Sequence, residues 1–173
     1  RSVGSTPQLI RTIADAVGKP DAGEALVKRT QEQIDQAKKQ IAAWKPAKPM
    51  RVAFLYVRGN AGVFFILGSE NGASELIQGV GADDVASDKG ITTLVPANAE
   101  SLVSINPDAI FVMRDGLAST GGMKGLLARA GVANTTAGRK QRVISIPDGI
   151  SLSFGPQTGE VLTAVAKALY GVK

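Results

Sequence analysis

A phenol and a guanidinium stand two positions apart in FLYVRGN, residues 54–60, where an apolar run ends on Tyr56, passes Val57 to Arg58 and turns at Gly59. In an extended chain, residues at that spacing point the same way, so the guanidinium sits beside the phenol oxygen. Tyrosine ordinarily ionises near pH ~10, and a close, partly desolvated cation lowers an acid's pKa by roughly one to three units. The pair therefore favours a phenolate. A phenolate is a hard anionic ligand, and tyrosinate is one of the axial ligands that haem iron accepts. The same two residues have a plainer explanation, in which Tyr56 is an amphipathic core residue and Arg58 a surface arginine.

Other chemistry is scarce. The 173 residues include no histidine and no cysteine. That rules out disulfides, thiolate metal sites and cysteine nucleophiles, and it removes the usual general base and the usual zinc ligand. Most hydrolase chemistry is excluded with them. The remaining ligand of interest is Met113, because a thioether is also an accepted axial ligand of haem iron, although methionine more often packs than ligates.

The elements that must position these groups follow from the hydropathy pattern. From Arg51 onward, apolar runs alternate with helical patterns: VAFLYV, a helix around 70–79, ITTLV, a helix around 97–105, AIFVM, a helix around 122–130, VISIP, and a last helix around 157–170. Such alternation predicts an α/β domain, a small parallel sheet of about four strands flanked by helices, with room for a shorter edge strand. Ligands bind such sheets at the carboxyl ends of the strands. Tyr56 and Arg58 fall at that end of the first strand, Met113, Arg114 and Asp115 at that end of AIFVM, and Pro147 and Asp148 at the end of VISIP. Loops rich in glycine, including Gly59, Gly62, Gly116, Gly121 and Gly122, let backbone approach a large flat ligand there.

Upstream, Thr6-Pro7 reads as an N-cap with proline at the first helical position, opening a short helix that Gly18 and Pro20 stop. Asp21 with Glu24 resembles a capping box, and Leu26, Thr30, Ile34, Ala37, Ile41 and Trp44 form one narrow apolar stripe on a long helix. Such a helix lies along a surface. The segment KPAKP at 45–49 separates it from the α/β domain. Net charge is +5 and uneven, with nine Lys/Arg against five Asp/Glu in residues 1–50 and eleven against ten afterwards. A basic excess confined to the N-terminal helices is a solvated helix face and does not make a nucleic-acid footprint. The chain opens on Arg1-Ser2-Val3 with neither a signal peptide nor an initiating Met, as expected of a processed or truncated chain.

The combination of LYVRGN, PDAIFVMRDGLASTGGMKGLLARAGVANTTAGRKQRV and SFGPQTGE resembles the haem-binding substrate-binding proteins of bacterial ABC importers, class III periplasmic-binding proteins, over essentially all of 47–173. The resemblance implies two α/β lobes joined by one long helix, with haem held between them. Residues 1–20 then correspond to the last helix of an N-terminal lobe, residues 21–46 to the joining helix, and residues 47–173 to the C-terminal haem-binding lobe. By position, Tyr56 ligates ferric haem iron and Arg58 hydrogen-bonds its phenolate. Arg58, Asn60, Phe64, Arg114, Gly121 and Gly122 are the residues expected around the haem, with Met113 as second ligand or packing group. The resemblance further implies an extracytoplasmic location, as a tethered lipoprotein or in the periplasm, and no enzymatic activity. It also implies docking to the permease of a haem importer, with Glu75 as a candidate contact. Haem left uncovered on one face would draw two copies into a haem-dependent homodimer.

Two other classes compete. A nucleotide-binding enzyme would need G-x-G-x-x-G or a P-loop after the first strand, and glycines at 59, 62 and 68 fit neither. A lobe for another iron chelate or for cobalamin would share the architecture, and a Soret shift on adding haemin separates that reading from haem. Phe64-Phe65 would stack on a porphyrin or belong to the core. Glu75 has a plainer role in the first turn of its helix, stabilising the helix dipole. Phe154-Gly155-Pro156 is expected to shape the loop before the last helix.

Overall fold

The structure is a computed structural model that describes residues 2–60 and 62–172. Two helices come first, α1 (Thr6–Ala16) and α2 (Pro20–Trp44). The sheet-forming region then runs β1 (Arg51–Arg58), β2 (Val63–Ile66), α3 (Ala73–Gly79), β3 (Asp83–Asp84), α4 (Val85–Asp88), β4 (Val95–Pro96), α5 (Ala99–Ile105) and β5 (Ala109–Met113). It closes with α6 (Arg114–Ser119), α7 (Gly122–Leu127), α8 (Thr136–Arg139), β6 (Val143–Ile146) and α9 (Thr158–Tyr170).

The expected α/β class is observed, with a sheet more mixed than the alternation predicted. The strand order is β4-β2-β1-β5-β6, and β3 adds a short parallel pairing to the start of β1. β1, β5 and β6 are parallel neighbours, whereas β2 folds back antiparallel on β1 as a hairpin and β4 runs antiparallel to β2. The stretch ITTLV contributes only its last residue to a strand, β4 at Val95–Pro96. VFFI escaped recognition as a strand because four residues beside a glycine turn carry too little periodicity.

β1 is apolar almost throughout because both of its faces are covered. Val52 and Phe54 join Phe111, Leu76, Leu162 and Phe154 in the core under α3 and α9, and Phe54 meets Phe111 edge-to-face at 6.3 Å. Ala53, Leu55 and Val57 join Ile110, Leu102 and Leu126 on the opposite side, under α5 and α7. The alternation that buries Phe54 under α9 places Tyr56 and Arg58 on that same face, beyond the last turn of core packing.

α2 runs as one 25-residue helix against α9 and α1. Thr30, Ile34, Ala37 and Ile41 are buried as the stripe predicts, while Gly23 and Val27 replace Leu26 as its first buried members. The two expected caps do not form. Ser5 and not Thr6 precedes α1, and the Thr6 hydroxyl instead donates to the Phe154 carbonyl at 2.8 Å, tying α1 to the loop before α9. Glu24 accepts from Arg11 Nε at 2.5 Å, bracing α2 against α1, and makes no capping box with Asp21. Phe154 is buried with a left-handed φ of 51°, and that loop carries α9 back over the sheet.

Candidate ligand crevice

The carboxyl ends of β1 and β5 open into a recess of about 240 Å³ lined by Tyr56, Leu67, Asn71, Leu94, Met113 and Leu152. A second recess of about 260 Å³ adjoins it through Met113 and Leu152 and reaches Gly149 and Ser153. One phenol in an otherwise mainly apolar surround suits a flat hydrophobic ligand with one polar centre to meet the phenol oxygen. Larger grooves exist between α2 and α9 and between α1 and α2, the latter about 290 Å³ and almost wholly apolar. Neither brings an ionisable side chain together with strand ends in the way the crevice does.

Arg58 holds the centre of the site. Its guanidinium carbon lies 5.5 Å from the centroid of the Tyr56 ring, and its Nη2 donates to Asp148 Oδ1 at 3.1 Å. Asp148 Oδ2 in turn accepts the backbone N–H of Asp115 at 2.9 Å. One carboxylate thus links the ends of β1, β5 and β6. Tyr56 first, and Asp148 after it, raise the Arg58 pKa above its already high ordinary value, so the cation is permanent. Burial alone would raise the Asp148 pKa, but the Asp115 N–H, Arg58 and Arg114 outweigh it and hold the carboxyl below its ordinary value. Asp148 falls at the strand end that the sequence indicates, yet its pairing with Arg58, 90 residues away, leaves no mark in either segment.

Met113 ends β5 one step beyond the paired Leu55 and Val112, beside Tyr56 on the same face of the sheet. Both side chains belong to one wall of the crevice. Phe65 is the cross-strand partner of Tyr56 and shares that face, whereas Phe64 is only 9% exposed and packs in the core on the other side, beneath the Arg129 guanidinium. Of the adjacent phenylalanines, Phe65 is therefore the one on the Tyr56 face of the sheet. Asn60 is exposed in the turn after β1, and Arg114 is exposed at the start of α6. Gly121 and Gly122 form the bend between α6 and α7, with φ of 90° and 67°. Glu75 is half-buried in the first turn of α3 and accepts the Val3 N–H at 3.3 Å, which links α3 to the segment before α1.

The backbone beneath the pair is tightly held. A Cβ on Gly116 would stand 2.5 Å from the Val57 carbonyl oxygen, so glycine is required where α6 crosses the end of β1. Sequence reasoning assigned that glycine to ligand access, and its observed role is contact with the strand. Arg129, Asn71, Leu94 and Leu152 were missed as site-forming residues. Only packing brings their loops to the strand ends.

An α/β lobe with a crevice at its strand ends and a buttressed Tyr-x-Arg pair at the mouth has the form of a ligand-binding module. The chain belongs to the periplasmic binding protein family, whose profile matches residues 2–149, a family of binders and not of enzymes. The crystal structure of heme binding protein HmuT superposes with a TM-score of 0.97 at 48% identity, covering 100% of this chain and 56% of that one. Solved HmuT variants replace a histidine, a tyrosine, or the arginine two positions after that tyrosine, each by alanine. The periplasmic heme-binding protein RhuT from Roseiflexus sp. RS-1, in apo form, matches at 35% identity and TM-score 0.92, covering 98% of this chain and 64% of its own. Periplasmic heme-binding protein BhuT in complex with two hemes matches at 32% and 0.87, covering 98% and 63%. The chain thus spans little more than half the length of HmuT. No curated protein sequence matches it.

Proposed function

We propose that this chain is the haem-binding lobe of an extracytoplasmic substrate-binding protein that delivers ferric haem to an ABC importer. The observation that carries the reading is the Tyr56–Arg58 pair, set at the mouth of an apolar crevice and buttressed by Asp148. The phenolate oxygen of Tyr56 ligates the iron, and Arg58, fixed by Asp148, holds its cation beside that ligand. Leu67, Leu94, Met113 and Leu152 cover the porphyrin with apolar surface, Phe65 flanks Tyr56, and Asn60 and Arg114 lie at the rim. The tyrosine and arginine varied in HmuT have the spacing of Tyr56 and Arg58. Its varied histidine lies further before that tyrosine than this chain extends before Tyr56.

Met113 contributes packing in this scheme. It stands on the same wall as Tyr56, so within one chain it does not reach the opposite face of an iron held by the phenolate. Residues 47–173 are the ligand lobe in this reading and residues 21–46 the helix that joins it to another lobe. The exposed apolar residues Leu9 and Ile13 of α1 and Val17 just after it support such a neighbour. Glu75 remains a candidate for the permease contact, with its Val3 bond as competing role.

Titration with haemin tests the reading. The parent chain is expected to show a shifted Soret band and a ferric phenolate spectrum, and Tyr56→Phe to lose both. Parental affinity and spectrum in Tyr56→Phe would refute the assignment.

A further inference from the structure

The turn that follows the Tyr56–Arg58 pair is held from outside the hairpin. Gly59 adopts a left-handed φ of 59° directly after Arg58. Its N–H donates to Ser119 Oγ at 2.9 Å, and Ser119 Oγ donates onward to the Gly116 carbonyl at 2.7 Å. The Gly59 carbonyl accepts from Nη2 of Arg129. Both polar backbone groups of the residue after Arg58 are thereby satisfied by side chains from α6 and from the turn after α7.

Arg129 is itself fixed in three ways. Its Nε and Nη2 donate to Thr120 Oγ1 at 3.3 and 3.2 Å, and its guanidinium carbon lies 5.2 Å from the Phe64 ring centroid. Thr120 and Phe64 are buried, so neither yields easily. Among the described residues no carboxylate pairs with Arg129, so the side chain is spent on neutral acceptors and one aromatic face. That use needs a planar fork of donors, which arginine has and lysine lacks.

We propose that Arg129 is a positioning residue for the ligand pair: with Ser119 it locks Gly59, and through Gly59 the end of β1, in the orientation that presents Tyr56 and Arg58 to the crevice. The lock is a property of the free chain, and its consequence for ligand rests on the haem reading. A turn released at Gly59 lets Arg58, the adjacent residue, leave Asp148, and lets Phe65 slide from its place opposite Tyr56. The glycine-containing segment at 116–122, from α6 into the start of α7, acts in this scheme as a backbone clamp under the ligand pair.

Two variants test it, Arg129→Lys and Ser119→Ala. In the ligand-free chain, hydrogen exchange of peptides spanning 55–64 should rise about tenfold in Arg129→Lys, as loss of a bond to a charged group implies, and severalfold in Ser119→Ala, which loses a neutral bond, while α2 and α9 stay as protected as in the parent. With haemin, affinity should fall about tenfold or more, and the ferric spectrum should shift from the parental one. Ser119 is exposed, so Ser119→Ala carries the test if Arg129→Lys does not fold. Unchanged exchange at 55–64 overturns the proposal, and so does raised exchange with parental affinity and spectrum. Tyr56→Phe in the parent background separates the two claims. If it binds haemin as the parent does, the haem reading fails and the lock stands or falls on the exchange result alone.

Discussion

Replacing Gly116 by alanine adds one methyl group at the crossing of α6 and β1, and its cost follows from the geometry. The new Cβ would lie 2.5 Å from the Val57 carbonyl oxygen, and real Cβ atoms essentially never approach closer than 3.0 Å. The obstacle is backbone, so no side-chain rotation relieves it. Either the strand end or the first turn of α6 must move. Overpacking of this kind costs about 1–3 kcal/mol. Movement of α6 also loosens the Asp115 N–H bond to Asp148 and the Gly59 N–H bond to Ser119, each worth about 1 kcal/mol. Taking about 2 kcal/mol as the outcome, a domain of this size should lose about 4–8 °C in its thermal midpoint. Val57 lies between Tyr56 and Arg58, so haemin affinity should fall along with stability. Circular dichroism melts and haemin titrations of Gly116→Ala and the parent provide the assay. A variant that melts within a degree of the parent and binds haemin equally would show that α6 does not constrain the strand end.

Arg58→Ala should retain some haemin binding but weaken it and make it more sensitive to pH, because the phenol loses its fixed cation; an unchanged pH profile of affinity refutes that role. Asp148 has its folded pKa depressed below the ordinary 3.8, so the stability from its bonds to Arg58 and Asp115 is present above that value and is lost as pH falls through the folded pKa. The pair is partly exposed and is worth about 0.2–1 kcal/mol, so protection against hydrogen exchange near 115 and 148, corrected for the intrinsic pH dependence of amide exchange, should stay flat from pH 7 to about 4 and fall only below, and Asp148→Asn should abolish that step. Ile34, fully buried on the apolar stripe of α2, should cost about 2–5 kcal/mol as Ile34→Ala, read as a lower urea midpoint with a parental haemin spectrum. Haemin at saturation should shift the sedimentation profile toward a dimer, since exposed Leu94 and Ile150 flank the crevice; a monomer in both states would falsify haem-driven association.

Much of this protein is local information, and that part was legible. The apolar stripe of α2, the uninterrupted run of β1 and the glycine and proline stops each constrain backbone within a few residues. They sufficed for the α/β class, for the long helix and for Tyr56 and Arg58 on one side of a strand end. Tertiary structure decided which of several locally acceptable partners each group took. Thr6 bonds Phe154 across 148 positions and does not cap its own helix, and Glu24 takes Arg11 in place of a capping box. Phe64 and Phe65 are equivalent in composition, and only the hairpin register turns Phe65 toward the Tyr56 face of the sheet. Arg129 and Asp148 act on β1 from 70 and 90 residues away. Contacts of that separation carry no periodicity in either segment. They exist because burying both faces of one sheet forces distant loops to the same strand ends, where each backbone and charged group must find a partner.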